Sequence, residues 1–344
     1  MAEGKRVRVA VIGVGRIGQR HARALATEIP AADLVAIADV DPDAARAVAA
    51  ELRVDRWTAD AWSLIADPGV DAVVIASSTD SHAGLIAAAA AAGKDIFCEK
   101  PIALDLDATD AALDAVAAAG VRLQIGFQRR FDAGYVRAKH MIDAGTLGRI
   151  ESIRDAMRDP GPPSQAYAAT SGGLYRDMTI HNFDSVRWLM GDEVEEVYAI
   201  ATAVDPMFAA LDDVDTSIVT LRFAGGGIAS IDNSRRSSFG YDVRTEIFGS
   251  TGAVFVGYSR DTPVLHLAAD GVHSDHVSWF LDRFAAAYTE ELRAFVDCIV
   301  AGEPTSVSGT DARAAMALAY AADRSRREGR PVRIAEFDRG TGDS

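Results

Sequence analysis

The stretch VRVAVIGVGRIG, residues 7–18, joins a compact apolar run of strand type to a glycine turn, and QRHARALATEI after it is helical in character. Gly13, Gly15 and Gly18 stand at G-x-G-x-x-G spacing, with Arg16 and Ile17 between the last two. The first glycine permits a tight turn, the second lets backbone approach a pyrophosphate, and the third allows close helix–strand packing. The helix N-terminus adds free N–H groups and a positive dipole end. Glycine patterns alone are common; flanked by a strand and a helix, this one predicts a dinucleotide-binding βαβ unit. A second strand, LVAIADVD, ends at Asp39, 21 residues beyond Gly18. A carboxylate there accepts hydrogen bonds from the ribose of NAD and repels the 2′-phosphate of NADP. The alternative is a solvated aspartate at a strand end. With the glycines in place NAD is the expected cofactor, and no arginine directly follows Asp39 to favour NADP.

The alternation continues through DAVVIASS, SHAGLIAAAAAAG, DIFCE, DLDATDAALDAVAAAG and VRLQIGF. Repeated βα units imply an α/β domain with a doubly wound parallel sheet and ligands at the strands' carboxyl ends. SSTDSH, with Ser77, Thr79 and His82, and EKP, with Glu99 and Lys100, both fall at such ends. They are candidate cofactor contacts, set against the plainer reading of polar loops. Lys100 precedes a proline, which biases its backbone to extended geometry. Its ammonium can hydrogen-bond a substrate hydroxyl and stabilise oxygen charge as hydride departs, although a single Lys–Pro pair is more commonly an exposed turn.

After about residue 126 the pattern changes. A helix, FDAGYVRAKHMIDAGTLG, leads into the strand RIESIRDAMRD and a Pro/Gly/Ser loop, PGPPSQAYAATSGG; the helix LYRDMTIHNFDSVRWLMG follows. Beyond it, VEEVYAIATAV, DTSIVTLRFAGG, GIASIDNSRRSS, YDVRTEIFGS and GAVFVG read as strands separated by short turns. Several alternate apolar and polar residues, as in an open, largely antiparallel sheet with one covered face. Two helices near the C-terminus complete an α+β domain. The expected division is 1–126 for cofactor binding and 127–344 for substrate binding and oligomerisation.

Within RDMTIHNFD, Asp177, His181 and Asp184 are four and then three positions apart, so a helix lines all three on one face. Such a stripe is usually solvated or structural. Histidine nonetheless suits removal of an alcohol proton, because its ordinary pKa of about 6.5 permits proton acceptance near neutrality. Asp177 can orient it or bind a hydroxyl. These groups lack a convincing metal-ligand set, so no metal is expected.

Composition excludes some classes. The formal net charge of −15 over 344 residues repels phosphate backbones, which argues against nucleic acid as a partner. No apolar run is long enough to span a bilayer, and the apolar run of the N-terminal MAEGKRVRVAVIGVG is too short for the h-region of a signal peptide and breaks at glycine. Cys98 and Cys298 form no metal-spaced cluster or disulfide framework, consistent with a reducing, cytoplasmic setting.

Taken together, GVGRIG, EKP, GFQRRFD, SGGLYRDMTIHNFD, NSRRSSFGYDVRTEIFGS and EELRAFVDCI resemble the Gfo/Idh/MocA oxidoreductase family from end to end. DPGPP, SGG…DMTIH and NSRR…GYD point within it to the inositol-oxidising branch. The resemblance implies a Rossmann domain followed by an α+β domain whose open sheet commonly mediates dimers and tetramers. It assigns Lys100 to the substrate hydroxyls and the nicotinamide side, Asp177 to the substrate and a proton relay, and His181 to general base. Tyr241 matches a position that contacts the polyol ring, and Arg130 and Asp159 fall near the expected pocket. The implied reaction is NAD-dependent oxidation of a cyclic polyol, myo-inositol to 2-keto-myo-inositol. The alternatives are scyllo-inositol or a pyranose sugar as substrate, or a non-catalytic dinucleotide sensor, which the presence of Lys100 and His181 disfavours.

Overall fold

In the computed structural model, which describes residues 6–257 and 260–339, the apolar run after Arg6 is strand β1 (Val7–Ile12). Five further strands follow: β2 (Ala32–Ala38), β3 (Trp57–Thr58), β4 (Ala72–Ile75), β5 (Asp95–Glu99) and β6 (Leu123–Gly126). All pair in parallel, in the order β3-β2-β1-β4-β5-β6. The chain winds outward from β1 on both sides, so the strand order reverses between β1 and β4, where a crevice opens at the carboxyl ends. AVVI in β4 is wholly buried, as a parallel strand covered on both faces requires. The intervening helices begin and end where local chemistry dictates. Asp41 caps Pro42–Leu52 by accepting from the N–H groups of Asp43 and Ala44, Asp105 caps Leu106–Ala119, and Gly120 ends that helix.

This unit is not closed by the N-terminal part of the chain alone. Residues 286–313 belong to it. Leu292, Phe295 and Val296, on the helix Ala285–Ala301, are buried in one cluster with Val9, Val11, Leu25 and Phe97. The division expected at 126/127 omits this returning segment, because an amphipathic stripe does not reveal which core it joins. The expected domain ends, residues 1–5 and 340–344, lie outside the described residues.

The second unit comprises residues 132–285 and 314–344. Its strands are β7 (Ile150–Arg158), β8 (Val194–Thr202), β9 (Thr216–Phe223), β10 (Ile228–Ser234), β11 (Asp242–Gly249) and β12 (Gly252–Val256), then the hairpin β13 (Leu265–Ala268) and β14 (Gly271–Ser274), and finally β15 (Val332–Arg333). The main sheet runs β12-β11-β7-β10-β9-β8-β15. Only β7 and β10 pair in parallel; the remaining neighbours are antiparallel. Alternate residues of β9, namely Ser217, Val219, Leu221 and Phe223, are buried. On other alternating positions of the sheet, Ile200, Ile218, Ile228, Phe248 and Phe255 are exposed.

Two expectations are refined here. The segment PGPPSQAYAATSGG is not all loop: Gln165–Thr170 forms a short helix whose Ser164 cap accepts from Tyr167 N–H. The helix expected through RDMTIHNFD is two pieces, a π-helical turn over Tyr175–Thr179 and an α-helix over Ile180–Met190 that Gly191 ends. Asp177 therefore sits in a widened turn, a feature frequent at functional sites.

Candidate active site

In the first unit the glycine turn has the shape a dinucleotide requires. Gly13 adopts φ +91°, and a Cβ there would lie 2.5 Å from Ser77 N. A Cβ at Gly18 would collide with the Gly13 carbonyl oxygen, whereas at Gly15 it would meet nothing within 4 Å. Gly13 and Gly18 thus serve the turn and the packing, and Gly15 leaves its backbone open to a ligand at the N-terminus of Arg16–Thr27. Asp39 braces this turn: Oδ2 accepts from Val14 N–H at 2.7 Å and Oδ1 from Asp41 N–H at 2.9 Å. Each oxygen keeps a lone pair for a ribose hydroxyl. Arg16 is exposed and Ile17 half-buried beside it. Ser77, whose Oγ lies 2.6 Å from Ser81 Oγ, and Thr79, first residue of the helix Thr79–Ala91, stand at the carboxyl end of β4. These residues fit NAD.

Two residues expected at the cofactor face the interior instead. His82 is buried, with Nδ1 2.8 Å from Pro101 O and Nε2 3.0 Å from Ser77 O; burial pushes its pKa down against the upward pull of both carbonyls. It ties the SSTDSH loop to the EKP loop and acts through them. Glu99 turns inward, with Oε1 2.7 Å from His21 Nε2. Lys100 follows, half-buried, and its peptide bond to Pro101 is cis. Arg130 also belongs to the first unit, where its almost buried guanidinium pairs with Asp311 at 3.1 Å.

In the second unit, register assembles a charged cluster. Ser234 at the end of β10 is the partner of Arg158 at the end of β7, so Arg235 and Asp159 leave parallel strands abreast. Asp159 N–H bonds Ser234 O at 3.0 Å, and Arg235 N–H bonds Asp215 O at 2.8 Å. The Arg235 side chain, 5% exposed, lies 2.8 Å from Asp177 Oδ2 and 3.7 Å from Asp159 Oδ2. Tyr167 OH donates to Asp177 Oδ1 at 2.9 Å. Burial opposes the charge on Arg235, but Asp177 and Asp159 outweigh it and its pKa is raised. A guanidinium between two carboxylates keeps both ionised.

His181 begins the next turn, half-buried, and Asp184 is buried. The helix bearing His181 is fastened to the sheet by a polar network. Asp155 on β7 accepts from Thr245 Oγ1 at 2.8 Å and from Asn182 Nδ2 at 2.9 Å, and Asn182 Oδ1 accepts from Asn233 Nδ2 at 3.1 Å. Asn233 Oδ1 is left without a partner, but the remaining bonds of this buried network tie the helix to the sheet. Tyr241 is buried with its ring edge-on to Phe280 and Phe284. Asp159, Asp177, His181 and Tyr241 are thus all in the second unit, and Lys100 and Arg130 in the first.

Sequence reasoning passed over Arg235, Tyr167, His21 and Glu291, and read Glu99 as a cofactor contact rather than as a partner of the last two. Arg235 has an exposed neighbour, Arg236, and nothing in NSRRSS separates them. For Glu291 a signal existed: at helical spacing it shares a face with Tyr288, Leu292 and Phe295, where an acid is out of place.

A parallel βα sheet with an NAD-shaped glycine turn, joined to an α+β unit carrying acid and histidine, defines an oxidoreductase of the Gfo/Idh/MocA family, and the chain belongs to it. Residues 7–127 match the family's model for an oxidoreductase NAD-binding Rossmann fold, and residues 135–255 match its GFO/IDH/MocA C-terminal domain. Among its relatives, the myo-inositol 2-dehydrogenase of Thermotoga maritima is 43% identical, over 96% of this chain and 99% of that one. The inositol 2-dehydrogenase of Rhizobium meliloti is 42% identical, over 96% and 99%. A crystal structure of scyllo-inositol dehydrogenase from Lactobacillus casei, with bound NAD(H) and scyllo-inositol, superposes with a TM-score of 0.90 at 30% identity, covering 96% of this chain and all of that one.

Proposed function

We propose that this chain is an NAD-dependent dehydrogenase that oxidises a secondary alcohol of a cyclic polyol, myo-inositol to 2-keto-myo-inositol. The supporting observation is the pairing of an NAD-shaped turn with an arginine-held aspartate and a histidine, in a chain similar along nearly its whole length to a myo-inositol 2-dehydrogenase. The solved relative that holds scyllo-inositol supports that stereoisomer as the second reading.

Bound NAD supplies the hydride acceptor. His181 takes the hydroxyl proton, and Lys100 stabilises negative charge on the oxygen as the carbonyl forms. Asp177, kept anionic by Arg235, accepts a hydrogen bond from a substrate hydroxyl and orients His181. Asp159 and Tyr241 complete the polyol contacts, while Arg130 holds the turn after β6 through Asp311. Gly13, Gly15, Arg16, Ile17 and Gly18 form the phosphate turn, Asp39 reads the ribose, and Ser77 and Thr79 border the nicotinamide side. Residues 1–126 carry cofactor binding, completed by the returning segment, and the rest carries substrate binding and oligomerisation.

Turnover of purified protein with NAD or NADP and a panel of inositols and sugars, followed by reduced-cofactor absorbance, tests the reading. Activity confined to glucose or xylose overturns it. His181→Ala is expected to lower kcat by about 10²–10⁴-fold with NAD affinity retained; an unchanged rate removes His181 as the base. The exposed Ile200, Ile218, Ile228, Phe248 and Phe255 support a homo-oligomer, dimer or tetramer, formed through the open sheet. A monomeric mass by light scattering refutes that. Two free cysteines, and no helix among the described residues long and apolar enough to cross a membrane, support a cytoplasmic location, which cell fractionation checks.

A further inference from the structure

Beneath the EKP loop the first unit sets two carboxyl groups against each other, and Glu99 is the half-buried one. Glu291, on the helix Ala285–Ala301, is fully buried, and neither of its carboxylate oxygens has a hydrogen-bond partner. One oxygen of Glu291, one of Glu99 and a ring nitrogen of His21 lie within 4.8 Å of one another. The groups facing Glu291 are the His21 imidazole from Arg16–Thr27, the Glu99 carboxyl from β5 and the neutral amide of Gln124 from β6, whose Nε2 donates to the Glu291 backbone carbonyl at 2.6 Å. His21 packs edge-on to Phe97 and Tyr288; its Nδ1 has no partner, and its Nε2 faces Glu99. Room for the Glu99 carboxylate comes from Gly126 at the end of β6, where a Cβ would lie 2.9 Å from Oε2.

We propose that Glu291 is a neutral carboxylic acid that shares its proton with the Glu99 carboxylate, and that with His21 it is a positioning device for Lys100. The reasoning is charge balance. Two ionised carboxylates facing each other in a buried site, with one imidazole proton between them, carry an uncompensated charge. Keeping a proton on Glu291 halves that charge, leaves it on Glu99, the more exposed of the two, and offers Glu99 a donor across a gap that one water or a small side-chain rotation closes. A metal ion does not fit as the alternative: His21 Nε2 and Glu99 Oε1 are 2.7 Å apart, whereas ligands on one tetrahedral ion stand about 3.3 Å apart. Lys100 is thereby held from both sides, by the inward anchor of Glu99 before it and by the His82 contact to Pro101 O after it. Burial, then the Glu99 charge, pushes the Glu291 pKa well up, in agreement with the geometry.

The positioning role rests on Lys100 acting as proposed above, whereas the protonation state is read from stability alone. A carboxyl that keeps its proton in the fold above the pH at which the unfolded chain releases it makes the fold less stable as pH rises. That loss begins near the unfolded value, about 4.3, and ends once the folded group also ionises. Glu291→Gln lacks this penalty. Its melting temperature relative to wild type is therefore expected to climb between about pH 5 and pH 8; a constant difference overturns the neutral acid, as does a stoichiometric divalent ion in dialysed wild-type protein that Glu291→Gln loses. In turnover, Glu291→Gln is expected to stay within about threefold of wild type. Glu291→Leu, which cannot hydrogen-bond, should lose about tenfold or more in kcat with KM for NAD little changed. Full activity in Glu291→Leu overturns the positioning role, and equal losses in both variants overturn the shared proton. If the wild type oxidises no polyol, the dehydrogenase reading and the positioning role fall together, and the melting comparison still decides the acid.

Discussion

Each unit of the molecule holds a pair of carboxyl groups, one buried and one half-buried, and the two pairs are balanced in opposite ways. In the second unit Asp177 and Asp159 flank the guanidinium of Arg235. In the first, Glu99 and Glu291 share only the imidazole of His21. A guanidinium is charged at any pH at which the fold survives, so it favours the ionised form of the carboxylates beside it, the form that the proposed function uses. A buried imidazole flanked by Phe97 and Tyr288 brings one proton to one acid, and the other acid keeps its own. The same side-chain chemistry thus yields the proposed substrate site in one unit and the proposed anchor in the other, and the difference is the counter-charge.

The largest test of this contrast is Arg235→Ala. Removing the cation leaves two acids in a nearly closed site, and breaking a buried pair in this way costs about 3–5 kcal/mol. Denaturant unfolding at neutral pH measures it, with Arg235→Lys recovering part of the loss. A cost below about 1 kcal/mol, the level of an exposed pair, would place Arg235 among ordinary surface charges and break the comparison. Gly126→Ala sharpens the other side. Its methyl group meets the Glu99 carboxylate, and overpacking of this kind costs about 1–3 kcal/mol, read as a lower melting temperature together with a slower kcat. An unaltered melting curve would mean that Glu99 is not confined there. The smallest effect is expected at Glu51, whose carboxylate pairs with Arg23 in solvent; Glu51→Gln should leave the melting temperature unchanged, and a drop of several degrees would show that exposure is the wrong criterion for separating these pairs.

Features set by local rules were legible in the residues. GVGRIG, Asp39 and the alternating strands sufficed for the parallel sheet and its NAD turn, because strand–glycine–helix geometry is written in neighbouring positions. RDMTIHNFD pointed to a helical segment carrying Asp177 and His181, and both lie in helical turns. What stayed hidden depends on partners distant in the chain. Arg235 meets Asp159 only because β10 and β7 end in register, and Asp177 reaches it from a separate helical turn. The π turn at Tyr175–Thr179 has the same apolar pattern as a regular helix. His82 and Glu99 sit in the expected loops, yet their side chains turn inward to carbonyl and imidazole partners that the loop sequences do not announce.

The segment 286–313 that completes the first unit has a consequence for how the chain is made. A ribosome delivers β6 long before it delivers Leu292, Phe295 and Val296, and at about 5–20 residues per second the interval is on the order of ten seconds or more. Throughout it, the apolar surface of Val9, Leu25 and Phe97 that those side chains finally cover stays partly open to water and to neighbouring chains. Biosynthesis thus reverses the usual order in which an N-terminal domain is finished first: the cofactor-binding unit is begun first and sealed only after strands β7 to β14 of the second unit have been synthesised.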